Sequence, residues 1–477
     1  MKQFHILSIS FFLVLNSSIL SAQTLVSAEY LSTTSSSLLA LLVSNQVPTS
    51  YDVDYYKIIY NTTDTQGNPT IASGGVGIPV GSCDTLPIVA YCHGTVLRKQ
   101  DIPSEENFEA YIGKLFASAG YISVMPDYIG LGESSGLHPY VHAKSEATAT
   151  LDLVRATREF LASENGVQDN NQLFITGYSQ GGHAAMATYK YIQDNGLYTE
   201  FNVAAAAPAS GPYNLSGSQA AVLTSGQPYS NPGYVVYLLM GYQVAYGTLY
   251  NSLSEVLKSP YDTAVLPYFD GVQDQYDMSD VNAILPQVLS DLMQDSTLNN
   301  FTTNPNHRLA VALRDNDNYD WTPGQPLRMF YCTGDEQVAY GNALVADSVM
   351  DSNGAPDVDA VQVGTGNHSD CVIPSLVAAY DFFETHKVEC SYVQSVDNPV
   401  ETANFKAYPN PAKEQITVNI QRPNGQLYLT NLQGQRVKQQ TIYRSTSTLD
   451  ISNLPAGIYF LEYNTGNDKV IQKVVVQ

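Results

Sequence analysis

A serine between two glycines is the residue of this chain best placed to act as a nucleophile. Ser179 lies in the stretch LFITGYSQGGHAA, where an apolar run leads into Gly177, Ser179 and Gly181 and then into small helix-forming residues. This spacing is typical of a sharp strand-to-helix turn, which strains the serine backbone and lifts its side chain clear of a sheet. The same five residues can also form an ordinary turn in a chain rich in Gly and Ser, so Ser179 needs partners elsewhere to act.

A nucleophilic serine needs a general base, and His368 is the best candidate. It follows the strand-like run VDAVQVG through the glycine-containing turn TGNHSD, which can bring the ring over the edge of a sheet. The other candidate histidines are predicted within helices, within a long insertion or beside a proline; these are His138, His142, His183, His307 and His386.

The base in turn needs a carboxylate that orients it, and Asp335 is predicted at the end of the strand before His368, in RMFYCTGDEQV. Its neighbour Glu336 is the alternative. Asp370 lies too close to His368 in sequence to orient the ring. The chain order Ser179, Asp335, His368 is one of three orders known for serine hydrolases and differs from the other two.

Backbone N–H donors are also needed for the oxyanion of the tetrahedral intermediate. The N–H of Gln180, which opens the predicted helix, is one expected donor, and the second is expected in the loop HGT after the run LPIVAYC. Gly94 and Thr95 are both candidates for this second donor, whereas His93 is expected to brace the loop. This chemistry requires no metal or organic cofactor.

The elements that must position these residues alternate between strands and helices. Apolar residues at helical spacing separate the β-rich runs from residue 53 onward, which predicts one α/β sheet of about eight strands with crossover helices. The predicted strands are VDYYKIIY, TIASGGVGIPV, LPIVAYC, YISVMP, LFITGY, NVAAAAPA, PLRMFYC and VDAVQVG.

Residues from about 212 to 325 interrupt this alternation and are too many for an ordinary loop. We expect them to form a helical cap over the carboxyl ends of the strands. A second helical run within them, DVNAILPQVLSDLMQ, contains a proline that should kink it. An aromatic and aliphatic stripe at helical spacing is typical of a packed helical core; it comprises Tyr234, Leu238, Tyr242, Val244 and Leu249.

Both ends of the chain differ from this body. Residues 1–22 carry an early lysine, a short apolar core and a small-residue exit, which predicts a secretory signal peptide and a mature chain from Gln23. We expect a catalytic domain over 23–392, a polar linker over 393–404 and a small all-β sandwich over 405–477. No other stretch has the roughly 20 apolar residues that a transmembrane helix needs.

The composition is that of an exported globular protein. Of 477 residues, 44% are hydrophobic and 14% charged, and the formal net charge of -23 repels nucleic acid. Five cysteines are compatible with disulfides outside the cell, but their spacing does not pair them. None lies in a CxxC motif of a zinc or thioredoxin-like site.

Residues from about 50 to 390 resemble the secreted lipase and esterase branch of the α/β-hydrolase superfamily. The resemblance rests on YCHGT, MPDYIGLGES, LHPY, GYSQGG, Asp335 and His368, and the long insertion is similar to that of secretory lipases. It implies Ser179 as nucleophile, His368 as base and acid, and Asp335 as the residue that orients His368. It also implies a lid over an acyl pocket; the Tyr-rich, polar insertion departs from this pattern and argues against long-chain lipase activity more than against esterase activity.

The tail from about Phe405 to Gln477 resembles the C-terminal sorting domain of the type IX secretion system. The residues that carry this resemblance are YPNPA, LTNLQGQRV, LPAGIYFLE and KVIQKVVVQ. It implies recognition by that secretion machinery, export through the periplasm and outer membrane, and release from or attachment to the cell surface.

The sequence therefore predicts a secreted serine hydrolase that cleaves small-molecule or lipid esters through Ser179, Asp335 and His368 and an acyl-enzyme. One alternative is a prolyl or dipeptidyl-type serine peptidase, which uses the same three residue types but has no obvious carboxylate pair here for a peptide amine. The other is a non-catalytic surface binding protein on a hydrolase fold, against which the complete set of three residues speaks.

Overall fold

The computed structural model of the protein describes residues 23–42, 46–163, 166–272, 274–388, 405–420, 423–431, 436–465 and 469–477. These residues form two compact units, one before and one after the segment 389–404 in the sequence. The predicted signal peptide, the predicted linker and Cys390 lie outside the described residues.

The larger unit contains, in its described part, a nine-stranded sheet. Its strands are β1 (Leu25–Thr34), β2 (Val53–Thr63), β3 (Pro69–Pro79), β4 (Thr85–Cys92), β5 (Ile122–Pro126), β6 (Gln168–Tyr178), β7 (Val203–Ala209), β8 (Leu327–Cys332) and β9 (Val358–Gly364). They lie in the order β1-β2-β3-β5-β4-β6-β7-β8-β9. The pairs β1–β2, β2–β3 and β3–β5 are antiparallel, and all the pairs from β5 onward in this order are parallel.

Strand β1 is the addition to the predicted set. It pairs with β2 at the edge of the sheet with two shifts in register, and most of its residues are exposed. Its sequence, LVSAEYLSTT, buries little apolar surface and therefore lacks the period-2 pattern that identifies a half-buried strand.

Helices pack on both faces of this sheet and form the cap. They are α1 (Ser36–Leu42), α2 (Phe108–Ser118), α3 (Ala143–Ser163), α4 (Gln180–Asp194), α5 (Pro232–Tyr246), α6 (Tyr261–Ala264), α7 (Met278–Ala283), α8 (Leu289–Leu292), α9 (Asp295–Thr303), α10 (Arg308–Asp315), α11 (Gly341–Ser352) and α12 (Val372–Glu384). Strand β4 shows why the central strands are apolar throughout: Ile88 and Ala90 join the core on one face, and Val89 and Tyr91 join the core on the other.

The strand order creates a crevice between β4 and β6. The chain passes from β4 to β5 on one side and then crosses to β6 on the other, so β4 and β6 are neighbours. Their ends are level, because Cys92 pairs with Gly177. The loops after these two strands therefore leave the sheet side by side, and ligand sites of open α/β sheets form at such a switch point.

The insertion between β7 and β8 is helical and has an apolar core of its own. In α5, Tyr242 is fully buried in this core, whereas Val244 is 41% exposed. The second predicted run does not form one kinked helix but two short ones, α7 and α8. Pro286 lies between them, and a proline lacks the N–H that a helix needs and disfavours helical geometry in the residue before it.

The tail is all-β, as predicted. Its strands are β10 (Lys406–Tyr408), β11 (Gln415–Asn419), β12 (Gly425–Asn431), β13 (Arg436–Ile442), β14 (Thr446–Asp450), β15 (Gly457–Asn464) and β16 (Lys469–Val476). They form two antiparallel sheets, β10-β11-β14 and β13-β12-β15-β16, around a core that includes Ile416, Leu429 and Leu461. None of the helices described in either unit is long and apolar enough to cross a bilayer.

Candidate active site

Ser179 stands in a strained turn between β6 and α4. Its backbone has φ 61° and ψ -121°, a conformation that non-glycine residues rarely adopt, and its N–H donates to the carbonyl of Ala209 at 3.0 Å. A Cβ atom on Gly181 would overlap the Cys92 carbonyl, and one on Gly177 would overlap the Gly181 carbonyl. Both glycines are therefore required by the close approach of three backbone segments.

His368 and Asp335 lie in contact at the same edge of the sheet. Asp335 follows β8 and His368 follows β9, and the two strands are neighbours. The His368 Nδ1 atom is 2.7 Å from Asp335 Oδ2, and only 9% and 1% of the respective side chains are exposed. The other oxygen, Asp335 Oδ1, accepts the N–H groups of Gln337 and Val338, so the carboxylate is fixed in place.

The alternative carboxylate, Glu336, binds the backbone of His368 and not its ring. Glu336 Oε2 accepts the His368 N–H at 3.0 Å. Burial raises the pKa of Glu336, but hydrogen bonds, led by the one from His368 N–H, outweigh burial and leave this pKa below its ordinary value. Glu336 therefore holds the loop that carries the base, and Asp335 faces the ring.

Tyr178 connects the serine turn to the histidine loop. Its hydroxyl donates to the His368 carbonyl at 2.6 Å, and the Tyr178 and His368 rings pack with centroids 4.9 Å apart. Within the described residues, the Ser179 hydroxyl makes no hydrogen bond to His368. Such catalytic hydrogen bonds are often long in the free enzyme and shorten when substrate binds.

The three predicted oxyanion residues lie in the segments that follow β4 and β6, which are neighbouring strands. Gln180 is the first residue of α4, so its N–H has no partner inside the helix. Gly94 lies beside Glu109, whose pKa is raised by burial and lowered, to a smaller extent, by hydrogen bonds from Tyr91 and the Gly94 backbone. The Thr95 hydroxyl is 2.8 Å from the hydroxyl of Tyr140.

His93 braces its loop. Its Nδ1 atom is 2.7 Å from the carbonyl of Gly94, and its Nε2 atom is 3.3 Å from that of Asp127. Burial lowers the pKa of His93 to about 4, so the ring is neutral at neutral pH. A neutral ring has one N–H, so it donates to one of these two carbonyls, and the ring of Tyr128 packs against it with centroids 4.4 Å apart.

Sequence reasoning missed a buried polar cluster around the side chain of Gln180, the residue that follows Ser179. His138, Glu146 and His183 are all 0% exposed, and they contact one another through the side chain of Gln180 or directly. The sequence places His138 and His183 only among the less suitable candidates for the base, and it gives no role to Glu146. A Glu on the buried face of α3 and a Gln directly after the nucleophile are the signals that point to this cluster.

A largely apolar pocket opens beside Ser179. It measures about 720 Å³, counting the part open to solvent, and Ser179 and Gln180 contribute to its wall. The cap and the α10 region supply most of the remaining wall, which includes Leu215, Val222, Leu223, Leu238, Leu309 and Leu313. Two tyrosines of the insertion, Tyr229 and Tyr234, also line it, whereas Tyr237 and Tyr242 are fully buried in the cap core. In the described chain, no three His, Cys, Asp or Glu side chains converge as a metal ion would require.

A disulfide closes the loop that carries both Asp335 and His368. It joins Cys332, at the end of β8, to Cys371, just before α12, with 39 residues of sequence separation. The sequence left the pairing open. Asp335 lies three residues after Cys332, and His368 lies three residues before Cys371. The crosslink therefore joins the two loops that carry the candidate carboxylate and the candidate general base.

Replacing both Cys332 and Cys371 by alanine is expected to lower the free energy of unfolding of the larger unit by about 3 to 4 kcal/mol. The cause is the loop-closure entropy that the unfolded chain regains, and urea denaturation followed by fluorescence measures it. Cys92→Ala is the matched control, because Cys92 is a buried free thiol and its loss removes no crosslink. Equal destabilisation by the two changes would contradict the prediction.

Comparison with known proteins assigns both parts of the chain. Residues 108–379, more than half of the chain, match the secretory lipase family. Residues 406–477 match the secretion system C-terminal sorting domain. A sequence comparison with curated proteins gives no match.

Solved structures similar to this chain include the rice cell wall degrading esterase LipA from Xanthomonas oryzae. It is 27% identical, with 77% of this chain and 100% of LipA covered and a TM-score of 0.69. A protein of Legionella pneumophila is 26% identical over 76% of this chain and 98% of its own, with a TM-score of 0.70. Candida antarctica lipase A, 16% identical over 76% of this chain and 82% of its own, has a TM-score of 0.56 and shows the fold alone.

These neighbours confirm the predicted α/β-hydrolase fold. The match over residues 108–379 includes the serine turn, both loops of the His368–Asp335 pair and the cap. The sorting domain that follows belongs to exported proteins. The chain therefore belongs to the secretory lipase family and is a secreted or cell-surface hydrolase of carboxylic esters.

Proposed function

We propose that Ser179 attacks the carbonyl carbon of an ester while His368 accepts the serine proton. The observation that carries this proposal is the His368–Asp335 contact of 2.7 Å at the sheet edge where the strained Ser179 turn also lies. Asp335 holds the ring with Nδ1 protonated, which leaves Nε2 free to accept the proton and later to donate it to the leaving alcohol. Water then hydrolyses the acyl-enzyme, with His368 again acting as base.

The oxyanion of each tetrahedral intermediate rests on two backbone N–H groups, those of Gln180 and Thr95. Gln180 N–H lies at the start of a helix, where backbone donors are unpaired and the helix dipole favours negative charge. We choose Thr95 over Gly94 for the second donor because the Thr95 side chain reaches a residue of the pocket wall beside Ser179. The Thr95 side chain contacts Tyr140, which lines the pocket beside Ser179.

The apolar pocket takes the acyl chain of the substrate. Most of the residues in its wall are apolar, and no carboxylate among the described residues lines it to hold a peptide amine. Burial of each CH2 group stabilises a bound acyl chain by about 0.8 kcal/mol. These features favour esters of medium or long fatty acids over acetates and over peptides.

The sorting domain delivers the enzyme to its place of action. We propose a signal peptide over residues 1–22, a catalytic domain over 23–392, a linker over 393–404 and a sorting domain over 405–477. The type IX secretion machinery is the partner of the sorting domain, which resembles the tails it recognises. The ester substrate is the partner of the catalytic domain.

Hydrolysis of p-nitrophenyl esters from acetyl to palmitoyl by the mature protein tests this function. We expect kcat/KM for the octanoyl ester to exceed that for the acetyl ester by at least about tenfold, because the longer chain buries more CH2 groups. A preference for acetate would contradict the assignment of the acyl pocket. Absence of turnover with every ester, by a folded protein, would contradict ester hydrolysis through Ser179.

Leu238→Trp narrows the pocket and is expected to change its chain-length preference. Leu238 is half-buried on α5 and lines the pocket, so the larger side chain occupies part of its open space. The ratio of kcat/KM for palmitoyl to that for butyryl ester should fall by about tenfold or more, since a few CH2 groups lose their burial. Val244→Trp, on the exposed side of the same helix, is the control and should leave the ratio unchanged.

A further inference from the structure

We propose that the buried cluster of Gln180, His138, Glu146 and His183, here called the Gln180 clamp, fixes the oxyanion N–H of Gln180 through its side chain. This inference rests on the proposed function of that N–H. His138 and Glu146 are then positioning residues: they do not reach the substrate, but they act through Gln180.

The Gln180 side chain is held by two hydrogen bonds from one nitrogen. Only 2% of the residue is exposed. Its Nε2 atom is 2.7 Å from His138 Nε2 and 3.0 Å from Glu146 Oε1. An amide nitrogen has two hydrogens, so both are engaged and the amide cannot rotate without loss of both bonds.

The neighbours of His138 determine which way the amide faces. His138 Nδ1 is 2.7 Å from the carbonyl of Ile129, which only accepts, so Nδ1 carries the proton. His138 Nε2 is then an acceptor and takes a hydrogen from Gln180 Nε2. Burial lowers the pKa of His138 to about 4, and the ring therefore stays neutral and keeps this acceptor near neutral pH.

His183 stabilises the buried carboxyl group of Glu146. His183 Nδ1 is 2.7 Å from Glu146 Oε2, and His183 Nε2 is 2.9 Å from the carbonyl of Asn316. Both nitrogens of the His183 ring thus have an oxygen partner within hydrogen-bond distance. Within the described residues, no lysine or arginine forms an ion pair with Glu146. Glu146 is thus held as an acceptor for Gln180 by a partner on α4 itself.

The backbone geometry explains why a clamp is needed at this position. Ser179 adopts a strained conformation, and such conformations persist only where the surroundings hold them. Gln180 follows immediately and has no intrahelical bond on its N–H. Its side chain is anchored to α3 through Glu146 and to the loop before α3 through His138. The clamp thereby sets where the N–H points before any substrate arrives.

Gln180→Met tests the clamp, because methionine has similar length but donates no hydrogen bond. We expect kcat to fall by about 10-fold to 100-fold with KM nearly unchanged, since a shifted donor weakens only transition-state binding. Active sites are titrated with a fluorophosphonate, so that kcat refers to folded enzyme. The affinity for a trifluoromethyl ketone, which forms a tetrahedral adduct, should fall by the same factor as kcat/KM.

Tyr189→Phe is the matched control for a role in stability alone. Tyr189 is fully buried on the same helix, and its hydroxyl donates to the Gln325 carbonyl at 3.1 Å, far from Ser179. Its loss should lower the melting temperature and leave kcat per titrated site unchanged. If Gln180→Met behaves in this way as well, the clamp is overturned.

Glu146→Met is the second variant and decides the matter if Gln180→Met does not fold. Methionine has a length similar to that of glutamate but no carboxylate oxygen, so it removes the acceptor that Gln180 Nε2 contacts at 3.0 Å. We expect the same pattern, a lower kcat with an unchanged KM, and unchanged kcat per titrated site would overturn the proposal. A wild-type protein that cleaves no ester would instead refute the proposed function and not the clamp.

Discussion

Ser179→Ala is expected to reduce kcat/KM for p-nitrophenyl octanoate by at least about 10,000-fold, because alanine supplies no atom that can form the acyl-enzyme. The fold should be unaffected. Alanine has a Cβ like serine and meets the same strain at φ 61°, so the melting temperature should change little. Covalent labelling by a fluorophosphonate, which reacts with an activated serine, should disappear together with turnover.

Ser210→Ala is the control for this change. Ser210 follows the neighbouring strand β7, is 5% exposed and also has a positive φ, of 42°. It therefore resembles Ser179 in burial and backbone strain, but it has no proposed role in the reaction. Retained turnover and labelling in this variant, beside their loss in Ser179→Ala, would identify the nucleophile. Labelling that survives in Ser179→Ala would contradict the assignment.

The candidate site could be located from the sequence because strand ends are easy to recognise in this chain. The runs before Ser179 and Asp335 are apolar, the run before His368 alternates, and a glycine lies one or two residues before each chemical group. In a parallel sheet such ends lie at one edge, so three separate segments can be placed together without any knowledge of distances. The same logic places Gly94 and Thr95 after β4.

The sequence could not decide between adjacent residues of one loop at that edge. It also could not identify residues that reach the serine turn from other parts of the chain. Gly94 and Thr95 differ in their surroundings: the Glu109 carboxyl, from α2, lies beside Gly94, and the Thr95 hydroxyl contacts that of Tyr140. Glu146 and His138 come from α3 and the loop before it, and only tertiary packing places them beneath Ser179. No local periodicity marks such residues.

The composition of the insertion does not show which of its tyrosines face the pocket. Tyr237 and Tyr242 are 0% exposed in the cap core, whereas Tyr234 and Leu238, on the same helix, line the pocket. A helix presents different residues to its two sides, so only tertiary packing separates the tyrosines of the wall from those of the core.

Asp335→Asn should reduce kcat by about 1,000-fold to 10,000-fold with a much smaller change in KM. The carboxylate oxygen that faces His368 Nδ1 at 2.7 Å accepts a hydrogen bond, and it keeps the proton on that nitrogen. An asparagine amide can present its NH2 group there instead, which favours the tautomer with the proton on Nε2. His368 Nε2, the nitrogen that should take the serine proton, then carries a hydrogen and has no free lone pair, although the shape of the site is retained.

Glu336→Gln is the comparison that makes this change informative, because the two carboxylates are adjacent in sequence and both contact His368. Glu336 accepts the backbone N–H of His368 and not a ring N–H. A glutamine carbonyl at this position can still accept that backbone N–H. We expect a loss in kcat of less than about tenfold, as for a neutral replacement of one surface-side hydrogen bond. A large loss with Glu336→Gln and a small one with Asp335→Asn would exchange the two roles. Stopped-flow kinetics of acylation on both variants would show this directly, since the orientation of His368 matters in the step where Ser179 loses its proton.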